Sequence, residues 1–217
     1  MSQSFLDKLD QACQGHQSLL CVGLDPDPKR MALSNVVEFN HAIIEATSDL
    51  VSAYKPNLAF FEALGLDGLL ALENILKAIP SEIVTIGDGK RGDIGSTSGS
   101  YAKALFDVWG FDAATVNPYL GHDSVQPFLE HKDKGVFLLC RTSNPGGRDF
   151  QDLILSDGNP LFELVANRLR IDLLVESHLE KCSRVTPRDD ALTYAHRHVT
   201  FSIMAVSYTH LRAHETD

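Results

Sequence analysis

The chain has 217 residues, with 29 acidic against 19 basic side chains and a formal net charge of -10. That balance argues against nucleic acid or an anionic membrane as a partner. The apolar share, 44%, is ordinary for one folded domain with a sizeable core and argues against disorder.

In chain order, the opening "MSQSFLDKLDQACQG" lacks the basic start and apolar core of an export signal, so a cytoplasmic location is expected. "SLLCVGLD", ending at Asp25, is a continuous apolar run of the kind that makes a buried parallel strand. Residues 35–50 carry Val36, Val37, Ile43 and Ile44 at helical spacing. "VSAYKPN" is a second strand closed by Lys55 and Pro56, and 66–79 an amphipathic helix. "EIVTIGD" is the third strand, followed by a helix over 97–109; "FDAATVNP" is the fourth, followed by a short helix over 123–132. "GVFLLCRTSNPGG" is a fifth strand with a glycine-rich exit, and 159–169 a fifth helix, with Asn159 as its cap and Pro160 at its first position. Five strand–helix units in succession imply a parallel sheet or barrel of the α/β class. No apolar run reaches membrane-spanning length. Cys13, Cys21, Cys140 and Cys182 are too scattered for a metal or disulfide framework, so reduced thiols are expected.

From Arg170 the character changes. The last 48 residues contain none of the 15 glycines and five of the nine histidines. A β/α fold uses glycine at its helix ends and turns, so 170–205 does not read as further units of the same kind. The final "VSYTHLRAHET" reads as a translated sequencing-library adapter, and 206–217 is set aside as a scar.

Between the third strand and its helix lies "GDGKRG", which spells G-x-G-x-x-G. A dinucleotide turn is the obvious reading, but Asp88 would repel the pyrophosphate and the next strand ends in Asn117 rather than an acid. A P-loop fails because Arg91, not Ser or Thr, follows Lys90. The charges carry more information than the glycines. Asp88 and Lys90 are two apart at a strand end and can face the same way. Asp93 follows in the loop, Lys55 closes the second strand and Asp25 the first. Each stands at the carboxyl end of a parallel strand, where β/α folds build their sites.

These residues fall into motifs that resemble the orotidine 5′-phosphate decarboxylases, in their longer bacterial branch. The D-x-K-x-x-D of Asp88, Lys90 and Asp93, continued by Ile94 and Thr97, looks like that family's active-site signature. "VGLDPD" at Asp25, "AYKPNLAFFE" at Lys55, "TVNPYLG" at Asn117 and "RTSNPGG" at Ser143 match it as well, in order, over about residues 5–169. The resemblance implies a (β/α)8 TIM barrel, of which this chain would hold about five units before the unmatched tail. It also implies a homodimer with shared active sites that converts orotidine 5′-monophosphate to UMP and CO₂, in the last step of pyrimidine synthesis, with no metal or cofactor. By the same resemblance, Lys90 donates a proton to C6 and Asp88 stands beside the departing carboxylate. Asp25 and Lys55 hold the ribose hydroxyls, Asp93 and Thr97 reach the partner subunit's site, and Ser143 meets the pyrimidine, with Ile94 and Asn117 completing the binding set. Units six to eight would bring a glutamine, an arginine and a glycine-rich loop for the phosphate, and nothing after Arg170 matches them. Two alternatives stand: a catalytically dead fragment acting as a binding module, or one of the sister enzymes that act on sugar phosphates and use magnesium.

Overall fold

The computed structural model describes residues 3–176, and the order of elements follows the alternation of the sequence. Five parallel strands lie side by side in chain order: β1 (Cys21–Leu24), β2 (Ala53–Pro56), β3 (Val84–Arg91), β4 (Ala113–Val116) and β5 (Gly135–Leu138). Helices α2 (Val36–Thr47), α4 (Gly65–Ala78), α5 (Gly95–Lys103) and α6 (His122–Leu129) return the chain between them. A short α3 (Leu58–Glu62) precedes α4, and α7 (Leu161–Glu176) follows β5. Consecutive parallel strands joined by helices are what right-handed β-α-β crossovers produce.

Successive strand residues go to opposite sides of the sheet, as a period of two requires. Tyr54, Ala114, Val116, Val136 and Leu138 join Phe61, Leu72, Ile75, Phe106 and Phe128 in the larger core, between sheet and helices. Ala53, Val84, Ile86 and Ala113 face the other side and form a second cluster with Phe5. Both faces are covered over β2 to β5, which explains the apolar runs of those strands, while Cys21 and Gly23 leave one face of β1 exposed.

Phe5 belongs to α1 (Phe5–His16), a helix absent from the sequence-based expectation. Ser4 caps it by accepting from the Asp7 amide. The Phe5 ring sits where a side chain at Gly135 would have to be: a Cβ there would come within 2.6 Å of the ring. Lys8 of α1 also pairs with Asp112 at 2.7 Å, and Asp112 accepts from the Thr85 amide at 2.8 Å. The helix thus closes the end of the sheet opposite the carboxyl ends of the strands.

Two boundaries differ from expectation. The fifth strand stops at Leu138, and the segment to Gly147 leaves the sheet as a loop with a 3-10 turn at Pro145–Asp149. The last helix opens at Leu161 rather than Pro160, because Pro160 is held extended in an antiparallel bridge to Ile154. The Pro160 carbonyl accepts from the amides of Glu163 and Leu164, so Pro160 takes the cap position expected of Asn159. The backbone of α7 continues past residue 169 to Glu176. The remainder of the tail, including 206–217, lies outside the described residues.

Candidate active site

The carboxyl ends of β1, β2 and β3 bring together four of the residues singled out in the sequence, Asp25, Lys55, Asp88 and Lys90. Asp88 ends the regular part of β3 and is almost fully buried, at 2% exposure. Its carboxylate is a hub. Oδ2 accepts from Lys55 Nζ at 2.9 Å, and Oδ1 accepts from Lys90 Nζ at 2.6 Å. A third donor was not foreseen: the hydroxyl of Thr115, on β4, reaches Oδ1 at 2.8 Å.

Burial by itself would raise the Asp88 carboxyl, but the charge of Lys55 and the hydrogen bonds from Lys90 and Lys55 outweigh it and hold it below the usual carboxylate range. The same competition acts on Lys55. Burial pulls its ammonium down, while Asp88 and then Asp25 push it up, and the net shift is upward. The ion pairs therefore keep one buried acid and one half-buried base charged together.

Asp25 completes the group from the end of β1. Its Oδ1 is buried and, among the described residues, has no hydrogen-bond partner. Burial raises its pKa; the charges of Lys55 and Lys90 oppose the rise and that of Asp88 adds to it. A buried acceptor beside an ammonium, with nothing donating to it, is a place for a ligand hydroxyl.

Arg91, next in the chain to Lys90, points the other way. It pairs with Glu62 of α3 and lies over the Tyr101 ring at 5.3 Å. A cavity of about 260 Å³ opens on that helical side, lined by Leu58, Leu72, Leu105 and Trp109 among others, with Arg91 and Glu62 also in its wall. The charge cluster does not line it.

The remaining expected residues lie around the cluster rather than in it. Asp93 accepts from the amide of Ile94 at 2.8 Å, and Ile94 and Thr97 are exposed on the turn into α5 and its first residues. Among the described residues Lys90 forms its ion pair with Asp88, not Asp93. Asn117 is exposed and uses its side chain to accept from the Tyr119 amide at 3.0 Å. Ser143 is exposed in the loop after β5. That loop is pinned on both sides of Ser143. Arg141 grips Asp152 through two bonds of 2.8 and 2.9 Å, and the Gln151 amide closes on Thr142.

The glycines of G-x-G-x-x-G serve close approach. A Cβ at Gly87 would meet the Phe111 ring at 2.8 Å, and one at Gly92 the Asn117 carbonyl at 2.6 Å. The left-handed backbone falls on Lys90, at φ 46°.

A parallel β/α sheet with an acid–base chain at the carboxyl ends of its strands places that chain where β/α folds build their sites. The family described as "Orotidine 5'-phosphate decarboxylase / HUMPS family" matches residues 18–171. The orotidine 5'-phosphate decarboxylase of Herpetosiphon aurantiacus is 56% identical over 174 residues, covering 76% of this chain and 65% of that protein. That of Dehalococcoides mccartyi is 54% identical over 168 residues, covering 76% and 62%. Among solved structures, the Leishmania donovani OMP decarboxylase superposes with a TM-score of 0.70 at 44% identity, covering 76% of this chain and 64% of that one. A putative orotidine-monophosphate-decarboxylase from Toxoplasma gondii gives a TM-score of 0.79 at 36% identity, with 91% and 67% covered. The chain belongs to the orotidine 5'-phosphate decarboxylase / HUMPS family, and its five strands are part of that TIM barrel. It spans less than two thirds of the length of the first two relatives. Among the described residues no helix is long and apolar enough to cross a membrane.

Proposed function

We propose that this chain carries the decarboxylating half of an orotidine 5′-monophosphate decarboxylase site. The single observation that supports it is the chain of charges Lys55–Asp88–Lys90 beside the unpartnered acceptor of Asp25. Asp25 and Lys55 bind the ribose hydroxyls, and Ser143 meets the pyrimidine on its pinned loop. The bond from C6 to the carboxylate breaks, CO₂ departs past Asp88, and the electron pair stays on C6. Lys90 Nζ stabilises that charge and gives C6 a proton, yielding UMP, and then recovers a proton from solvent. No cofactor is needed to accept electrons, because none leave the substrate ring.

A second reading, a binding module without turnover, rests on the composition of the segment from Arg170, which holds none of the 15 glycines. In this reading the glycine-free segment from Arg170 supplies no partner for the substrate phosphate, and remote binding energy that would drive chemistry at the ring is lost. The test compares two proteins by UMP release: the 217-residue chain, and a chimera that continues after Leu169 with the corresponding segment of the Herpetosiphon relative. The chimera is expected to turn over, and the 217-residue chain to be slower by about 10³-fold or more. A folded but inactive chimera would sink the decarboxylase reading. Equal rates would show that the tail supplies a phosphate site.

The active form is a homodimer in this proposal, with Asp93 and Thr97 serving the neighbour's site. Ile94, Tyr119 and Leu120, large apolar residues exposed at 59%, 86% and 49%, support a covered surface near the strand ends. Asp93→Asn and Lys90→Met chimeras, each inactive alone, are expected to regain about a quarter of wild-type activity when subunits exchange in an equal mixture: about half the dimers are mixed, each with one intact site of two. No recovery despite demonstrated exchange would refute the shared site.

A further inference from the structure

β3 and β4 keep a regular parallel register through Ile86↔Ala113 and Gly87↔Ala114, and resume it at Arg91↔Val116. Between these points Asp88, Gly89 and Lys90 of β3 all face Thr115, a single residue of β4. A bulge of this kind re-aims side chains and breaks local ladder bonds. Here it turns Lys90 into the left-handed region at φ 46° and takes its amide out of the ladder. The amide donates instead to Thr115 Oγ1 at 2.9 Å. The same hydroxyl sends its own proton to Asp88 Oδ1 at 2.8 Å. Thr115 is fully buried, and its neighbours Ala114 and Val116 are laddered to β5, so the oxygen stands on a fixed strand.

We infer that Thr115 is a positioning residue for this site: its hydroxyl holds the bulge of β3. One oxygen then sets both the backbone from which the Lys90 ammonium is aimed and the carboxylate with which that ammonium pairs. The catalytic meaning rests on the decarboxylase reading; the geometry does not. A residue of the same shape without the hydroxyl would leave the Lys90 amide without an acceptor and Asp88 short of a donor. A hydroxyl has one proton to give and lone pairs to receive with, which is the pair of tasks the position sets.

The test uses the full 217-residue chain with ¹³C-labelled aspartate carboxyls, the Asp88 signal being the one lost in Asp88→Asn. In Thr115→Val the Asp88 carboxyl is expected to titrate at higher pH than in the wild type, because a donor to its charged form is gone. The Lys90 amide is expected to exchange with solvent about tenfold faster, the equivalent of one net hydrogen bond. Thr115→Ser keeps the hydroxyl and is expected to restore both values. Wild-type titration and exchange in the valine variant would overturn the inference, as would a serine variant that behaves like valine. Should valine prevent folding, Thr115→Ala set against Thr115→Ser decides the same question. An inactive but folded wild-type chimera would remove the decarboxylase reading and leave these measurements to decide the role of Thr115. With an active site, Thr115→Val is expected to lower kcat by ~10²-fold, and an unchanged kcat would overturn the role in aiming Lys90.

Discussion

Replacing Lys90 with methionine in the chimera is expected to lower kcat for UMP formation by about 10⁴-fold or more. Two contributions are removed at once: proton donation, typically ~10²–10⁴-fold, and electrostatic stabilisation of the charge developing at C6, typically ~10²–10³-fold. The fold is expected to survive. Lys90 is 39% exposed, so its ion pair is partly screened by solvent. Asp88 keeps the donors Lys55 and Thr115, and methionine matches the lysine stem in length. The left-handed backbone at this position suits methionine no worse than lysine. Single-turnover kinetics, with circular dichroism to check folding, decide the matter. A variant that keeps a tenth of the wild-type kcat would show that another group protonates C6.

Asp88→Asn is expected to have the largest effect on stability, because it removes the carboxylate with which both lysines form ion pairs. Lys55 is 19% exposed and would keep its burial while losing its counter-charge. Breaking a buried pair on one side costs roughly 3–5 kcal/mol, and the upper part of that range is discounted here because Lys90 is open to solvent. The pH dependence gives a sharper signature. The depressed Asp88 pKa means that its contribution is complete above the ordinary carboxylate value, about 3.9, and is lost as pH falls through the depressed one. The raised Lys55 pKa means that its contribution is complete below the ordinary lysine value, about 10.4, and is lost as pH rises through the raised one. The stability gap between wild type and Asp88→Asn is therefore expected to be widest between those two limits and to close toward both. In the variant, burial, the largest influence on Lys55 and a lowering one, is opposed by Asp25 but no longer by Asp88, so stability should rise with pH where the wild type is flat. Urea unfolding from pH 3 to 11 measures this. A gap independent of pH would mean that the Asp88 pairs contribute packing and not charge.

The parts of the site legible in the sequence are those set by local spacing and strand ends. Asp88 and Lys90, two apart at the end of an apolar run, do share one side and do pair. Lys55 and Asp25 close their own strands and meet that pair, although Lys55 and Asp88 are 33 residues apart in the chain. α1 was open to reading as well: Phe5, Leu6, Leu9 and Ala12 keep helical spacing behind a serine cap. Where it docks was not, since that depends on Gly135 leaving room for the Phe5 ring from a strand 130 residues away.

The sequence by itself determined the order of the strand–helix units and the candidate charges at the strand ends. Each follows from a period, a cap or a neighbour within a few residues. The tertiary structure alone decided that Thr115 shares in the site, that Lys90 carries the strained backbone in place of a glycine, and that Asp93 stands apart from the Lys90 pair within one chain. A threonine in "AATV" is an ordinary strand residue until three residues of the neighbouring strand bulge across from it. The bulge is a property of two strands in register, and a register is a sum over pairings that no local window contains.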